Sequence, residues 1–409
     1  MAGNIIVLVV TVAAAALLFS PRLQHSTNWQ AMVTPLASII GSGFLVSVPL
    51  LAGEFGNWSP IAMIFLIGAA YMVGGAIRFN IRYGEPLFDS APSNSKPHLA
   101  EALEKLSHFV LAFAYFISVA YYLVLLSNFL LNGLNIHNTT MANTITTIIL
   151  GAIGCVGFLK GLKGIVGIEK YAVGINLAII TGLLGGLLWY NAHAVSAGQW
   201  QTAAIDKPFT LHSMQMLLGL LIVVQGLETY RFIGDEYDAE TRIRSMRYAQ
   251  WISTVVYILF FGLTTVLFPY LGNQTGITAI IGLVGHVALI LPLMLTVGAI
   301  ASQFSAAVAD SVGCAGLIET IANHRIKVRH TYPLIALVAI SVTWHADVFR
   351  IITLASQAFA LFYLVQTCVA LTIAYQKTDL PNRQRHLVLF SIAALFCLCV
   401  VLFGIPSGA

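Results

Sequence analysis

Apolar residues along this chain fall into runs of roughly 17–25 positions, the length of a helix that crosses a hydrocarbon layer about 30 Å thick. A window of about 19 residues resolves about twelve of them: 4–20, 31–53, 58–80, 107–133, 143–160, 167–190, 211–233, 249–272, 277–320, 331–346, 349–375 and 386–405. The ninth is too long for one span, and Pro292 and Gly298 are expected to divide it into a short approach segment and a helix proper. In hydrocarbon every backbone polar group must be satisfied internally, which leaves helices or closed barrels. These runs are long rather than short and alternating, so the expected fold class is all-α integral membrane, with about twelve transmembrane helices.

Composition agrees. The chain has 409 residues, of which 58% are hydrophobic and 9% charged, with a mean hydropathy of +0.86. Soluble domains carry about a quarter charged residues, so this chain lacks the polar groups to coat a water-soluble globule. The net charge of +4 matters less than its distribution. Connectors 78–105 (Arg78, Arg82, Lys96, Lys105), 160–170 (Lys160, Lys163, Lys170), 231–247 (Arg231, Arg242, Arg244, Arg247), 324–330 (Arg325, Lys327, Arg329) and 376–385 (Lys377, Arg383, Arg385) are basic. The alternate connectors 54–57, 134–142 and 272–276 hold no Lys or Arg, and those around 191–210 and 346–350 hold one each. By the positive-inside rule the basic connectors are cytoplasmic, which places the protein in the cell (inner) membrane with an external N-terminus. Segment 4–20 reads as a retained extra helix: no basic region precedes it, and Phe19-Ser20-Pro21 is not a small-x-small cleavage site. The five cysteines all lie in apolar runs without metal-ligand spacing and read as buried small hydrophobes.

Two spans are interrupted near their middles. Ile39-Ile40-Gly41-Ser42-Gly43-Phe44 breaks the second apolar segment, with Pro49 following, and Val224-Gln225-Gly226-Leu227-Glu228 puts polar groups deep in the seventh. A single glycine reads as close helix packing. Two interruptions five segments apart, in helices entering from opposite sides, are the layout of an inverted repeat of five helices. The expected organisation is 1–30 as an extra helix and connector, 31–190 as one repeat, 191–210 as an external connector, 211–375 as the second repeat and 376–409 as a C-terminal helix.

Thr34-Pro35-Leu36-Ala37-Ser38-Ile39-Ile40-Gly41-Ser42-Gly43-Phe44-Leu45, with Pro49 and Gly56 after it, resembles the first core helix of the amino acid–polyamine–organocation (APC) transporters. Gln225-Gly226-Leu227-Glu228, followed by the charged run from Gly234 to Arg244, is similar to their sixth core helix and its cytoplasmic exit. Ala301-Ser302-Gln303-Phe304-Ser305-Ala306-Ala307, running to Gly316-Leu317, looks like their eighth. The resemblance covers about residues 31–375 and implies a LeuT-type 5+5 inverted repeat with broken first and sixth core helices. Here one extra helix precedes the core and one follows it. The aromatic residues that flank the sixth-helix glycine in the family are replaced by Val224 and Leu227, which leaves the substrate open. Asn176 stands near the position where some proton-coupled members carry a lysine, so a lysine-based proton mechanism does not carry over.

The resemblance, with helix-end physics, implies that amides of Ser42, Gly43 and Phe44 at the first break face an anionic group such as a carboxylate. Carbonyls around Ser38 and Ile39, and those near Val223, Val224 and Gln225, would accept an ammonium group; Gly41 and Gly226 complete the candidate lining. Tyr121, with Tyr115, Ser118 and Tyr122 on the third core helix, either walls the pocket or packs. Glu228 is either a lock on a neighbouring helix or a protonation and gating site. Ser302 and Ser305 resemble sodium-holding hydroxyl positions and otherwise bond back to their own helix. Asp310 reads as a carboxylate on the cytoplasmic pathway, and Asn176 completes the ion-coupling candidates. Arg231, Asp235, Glu236 and Arg242 form a mixed-charge exit, either a solvated loop or an inner gate. Gln357 and Gln366 read as joining helices.

Together these point to a secondary active transporter of amino acids or related small organic amines, working by alternating access with sodium or a proton as candidate coupling ions. Other readings are a carrier of the same fold for a nucleobase or metal ion, and a transporter-derived sensor. A membrane enzyme is disfavoured because neither H-E-x-x-H nor G-x-S-x-G occurs. No G-x-x-x-x-G-K-[ST] loop is present, so ATP-driven pumping would need another chain. No cofactor, metal centre or nucleic-acid partner is expected.

Overall fold

A computed structural model describes the whole chain except Ser42, residues 90–98, 203–206, Pro208, 272–275 and 407–409, and except the side chains of residues 34, 37, 89 and 163–170. Among the described residues there are helices and turns but no strand. Core helix 1 is two pieces, Thr27–Gly41 and Phe44–Phe55. Core helix 2 runs Ser59–Phe79 and passes through a π-helical turn, Asn80–Gly84, into Glu85–Asp89. Core helices 3, 4 and 5 are Leu99–Gly133, Thr139–Lys160 and Lys163–Ser196. Core helix 6 is fragmented into Leu211–Leu218, a 3-10 turn at Leu221–Val224, and Thr229–Phe232. Core helix 7, Ala239–Thr264, ends in the 3-10 turn Thr265–Tyr270. The short helix Ala279–Gly285 precedes core helix 8, Leu291–Ile321, and core helices 9 and 10 are Val328–His345 and Val348–Gln376. Ala2–Leu18 and Arg383–Phe403 flank this core.

Eight of these helices are long and apolar enough to cross a membrane. The remaining four expected segments are the two broken helices, the 17-residue Ala2–Leu18 and the 18-residue Val328–His345. Ile5, Phe65, Ile148, Leu188, Leu337 and Leu395 are among the large side chains left exposed on the outside, a surface suited to hydrocarbon rather than water. The long ninth segment divides as expected before Pro292, which sits in the first turn of core helix 8. Gly298 does not divide it: it lies inside that helix, where an added Cβ would stand 3.1 Å from the Asn176 side chain.

Helix starts are written locally. Asn138, Asp238 and Asp347 each accept a hydrogen bond from the backbone N–H three residues on, at 3.0, 2.7 and 3.0 Å, and Thr210 with Ser213 forms a reciprocal capping box. These side chains satisfy amides that the first turn leaves without partners.

The packing repeats with a shift of five helices. Core helix 3 lies against 8, 4 against 9 and 2 against 7; the contact of 1 with 7 is matched by that of 6 with 2; that of 5 with 1 by that of 10 with 6; and that of 3 with 10 by that of 8 with 5. The flanking helices follow the same rule: Ala2–Leu18 packs on core helix 5 and Arg383–Phe403 on core helix 10, the fifth member of each set. Glycines permit the first of these contacts. A Cβ at Gly186 would stand 2.6 Å from Val7 and one at Gly185 3.0 Å from Val10, the close approach that small residues allow between membrane helices.

Candidate functional site

The two broken helices meet at their breaks. A Cβ on Gly43 would collide with the backbone and side chain of Val223. Gly226 has φ +123°, where L side chains are strained, and a Cβ there would sit 2.7 Å from Ser38 Cβ and 3.0 Å from the Ile39 amide nitrogen. Glycine at both places is therefore what lets the 3-10 turn of core helix 6 lie directly on the interruption of core helix 1. The Tyr257 hydroxyl, from core helix 7, lies 3.0 Å from the Ile39 carbonyl and 2.5 Å from the Val223 carbonyl, so one proton is shared between the two breaks. Phe44, the first helical residue after the interruption, stacks on Phe260 at 4.1 Å and meets Tyr257 edge-on at 5.5 Å.

Backbone groups released by core helix 6 are taken up by its neighbours. The Ile222 amide donates to Ser356 Oγ at 2.9 Å, and the Gly226 amide to the Tyr363 hydroxyl at 3.3 Å. Tyr363 in turn donates to the Glu228 carboxylate at 2.6 Å, and Gln225 Nε2 donates to the Tyr122 hydroxyl at 3.0 Å. Gln225 Oε1 is buried with no hydrogen-bond partner among the described residues. Glu228 is 1% exposed, and its bond to Tyr363 offsets part of the cost of burying a carboxyl group there. On the side of core helices 2 and 7, a void of about 20 Å³ is lined by Ile39, Val224, Leu227, Gln250 and Tyr257. That is room for a single water.

Of the other candidates, Ser42 lies outside the described residues. Ser302 is brought to the first break: its Oγ would stand 2.5 Å from a Cβ on Gly41. Ser305 Oγ, on the same helix, is buried and has no partner among the described residues. Asn176 is buried on core helix 5 beside Gly298 of core helix 8. Asp310 is drawn away from this group: its carboxylate accepts a hydrogen bond from Ser118 of core helix 3. Tyr121 is buried next to Tyr122, at 5.1 Å between ring centres, and Tyr122 reaches core helix 6.

On the face that carries the basic connectors, Arg231 and Arg242 are buried in a network with Glu85 and Glu104. Arg242 grips Glu85 with both nitrogens, at 2.6 and 2.9 Å, and Arg231 bonds Glu85 at 2.6 Å and also Glu104. Glu104 accepts from Gln366 Nε2 at 2.9 Å, and Gln366 is held by Asn80 at 2.8 Å. Core helices 2, 3, 6, 7 and 10 are thereby tied together below the breaks. Asp235 and Glu236, closer to the arginines in sequence, are exposed and make no ion pair among the described residues.

Residues 21–404 match the family model described as APC superfamily transporter. The chain belongs to the APC superfamily of transporters. A protein of Aquifex aeolicus (strain VF5), described as uncharacterized, is 42% identical over 387 residues, covering 94% of this chain and 93% of its own length. A solved structure described as the substrate-bound outward-open state of a Na⁺-coupled sialic acid symporter aligns over 99% of this chain and 98% of its own, with 15% identity and a TM-score of 0.49. For an APC transporter the groups that sequence reading misses here are instructive. Tyr257, Tyr363 and Ser356 hold the breaks together with Tyr122, which the sequence does offer as a wall or packing residue, and Glu85 and Glu104 hold the arginines. The first three act on backbone groups, which carry no sequence signal; the two acids lie in a connector that reads as a loop.

Proposed function

We propose that this APC transporter carries amino acids or related small organic amines by alternating access, with the two abutting breaks as the solute site. The observation that carries the reading is the Gly43–Val223 and Gly226–Ser38 contact, where two interrupted helices bring opposite charge tendencies to one place. Phe44–Phe55 begins there and points its first-turn amides and positive dipole end at the junction, complementary to a carboxylate. The carbonyls of Thr27–Gly41 and of the 3-10 turn end there too, complementary to an ammonium group. An α-amino acid presents both charges.

Ser302 beside the first break and Ser305 on the same helix are the candidate positions for a coupling ion, sodium by hydroxyl and carbonyl oxygens, and Glu228 with Tyr363 is the candidate for a proton. The buried Glu85–Arg231–Arg242–Glu104 network serves as the inner gate, closing the cytoplasmic side until its pairs separate. The basic connectors face the cytoplasm of the cell membrane.

The test is uptake into proteoliposomes and thermal stabilisation of the purified protein across a panel of amino acids and amines, with and without sodium and at two pH values. Stabilisation and uptake of at least one α-amino acid, strengthened by sodium or by acid, are expected. A response only to a nucleobase or a metal ion would overturn the assignment of the solute.

A further inference from the structure

A second cavity, of about 450 Å³, lies away from the breaks, between core helices 2 and 7 and the C-terminal helix Arg383–Phe403. Its charged lining is cationic: Arg78, Arg82, Arg247 and Arg385 converge on it with His386, and no Asp or Glu is among its lining residues that are described. Arg78 is the unusual member. It is 8% exposed, its guanidinium lies 5.0 Å from the centre of the Tyr71 ring, and it donates to Gln250 Oε1. Its partners are a neutral amide and an aromatic face, and no ion pair to a carboxylate is present for it among the described residues. Among the described residues, of the four arginines only Arg82 is in an ion pair, with Glu240 at 2.6 Å, in a bridge whose two side chains are 46% and 60% exposed. Such a pair offsets little of the charge. Four guanidiniums held around one cavity repel one another unless an anion enters, and the planar fork of arginine suits phosphate.

The remaining walls say which kind of phosphate. Met72, Ile243, Leu389 and Phe390 form the apolar side of the same cavity. Against the lining residue Tyr71, Trp251, 60% exposed, stands edge-on at 6.1 Å, and Tyr248, next to Arg247 in sequence, is 49% exposed. Exposed Trp and Tyr mark the depth of lipid headgroups. A headgroup phosphate at the arginines with acyl chain along the apolar wall fits this arrangement, whereas a free anion leaves the apolar side unused. Basic pockets between helices on the cytoplasmic side are suited to anionic lipid.

We propose that this cavity is a binding site for an anionic phospholipid, which clamps core helices 2 and 7 to the C-terminal helix through its phosphate. It stands apart from the solute site and does not depend on the nature of the solute.

The full chain, purified in detergent, is to be titrated with phosphatidylglycerol, cardiolipin, phosphatidylcholine and inorganic phosphate, reading retained adducts by native mass spectrometry and melting temperature in parallel. Phosphatidylglycerol and cardiolipin are expected to be retained and to raise the melting temperature, with phosphatidylcholine and inorganic phosphate well behind. The double variant Arg247→Gln/Arg385→Gln changes exposed side chains only and is expected to weaken anionic-lipid retention on the order of 30-fold. Arg325→Gln/Arg329→Gln, on another basic connector, is expected to leave it unchanged. Equal retention of phosphatidylcholine and phosphatidylglycerol, or full retention in the first double variant, would overturn the site. Inorganic phosphate that reproduces the whole stabilisation and displaces the lipid would overturn the lipid assignment.

Discussion

The two broken helices are interrupted in different ways. Core helix 1 stops at Gly41 and resumes at Phe44, so its two pieces are separated by two residues. Core helix 6 loses regular α-helix from Gly219 to Glu228, and only a 3-10 turn survives between its pieces. At the narrow break Tyr257 from core helix 7 bonds the Ile39 carbonyl. The wide one is held by Ser356 and Tyr363 from core helix 10, Tyr257 from core helix 7 and Tyr122 from core helix 3. An unwound backbone persists in an apolar bundle only where neighbours satisfy its amides and carbonyls. The interruption of core helix 6 is therefore a property of helices 3, 7 and 10 as much as of its own sequence.

That contrast is open to experiment. Gly226→Ala should have the largest effect, because it adds a Cβ at a positive φ and against Ser38; a loss of about 1–3 kcal/mol from backbone strain alone is expected, read as a lower melting temperature together with loss of uptake. Tyr257→Phe removes the proton shared by both breaks and should cost about 2 kcal/mol, with uptake falling more than stability. Uptake unchanged in that variant would show that the breaks do not work together. Ser356→Ala leaves the Ile222 amide without its acceptor and should cost about 1 kcal/mol, with any loss of uptake smaller than for Tyr257→Phe; an equal loss would remove the distinction between a residue serving one break and one serving both. The smallest effect belongs to Asp238, which caps the helix that carries Tyr257. The Thr241 backbone N–H bonded to it holds its carboxyl below the ordinary value of 3.8. A carboxylate lowered in the folded state contributes stability above that value and loses it as the pH falls through the folded one. Asp238→Ala should lower the melting temperature slightly at neutral pH, with the gap to the wild-type protein closing below pH 3.8.

Much of the architecture is legible in the sequence, because hydrophobic run length is a local property. The apolar segments, the alternation of basic connectors and the glycines at both breaks are all visible without a structure. The start of core helix 3 is not: Leu99–Gly133 extends well before the expected 107, since Glu101, Glu104 and Lys105 in its first turns dilute the hydropathy. The early end of the first piece of core helix 6 is hidden too. Leu217-Leu218-Gly219-Leu220-Leu221 reads as continuous apolar helix, yet a Cβ at Gly219 would collide with the carbonyl of Ile405, beyond the C-terminal helix. Arg231 and Arg242 have acids close by in sequence at Asp235 and Glu236 but pair with Glu85 and Glu104. The π-helical turn Asn80–Gly84 leads into Glu85, and the 35-residue core helix 3 carries Glu104 down to the same level. Proximity in sequence is a poor guide to ion pairs where the chain crosses a membrane between partners.

The central claim is that the abutting breaks form the solute site, and ligand-dependent melting of Gly43→Leu tests it most directly. The wild-type protein should be stabilised by at least one α-amino acid, and the variant, whose side chain would displace Val223, should still insert, melt at a lower temperature than the wild type and show no such shift. Equal stabilisation of the variant by the same amino acid would place the solute elsewhere and contradict the account.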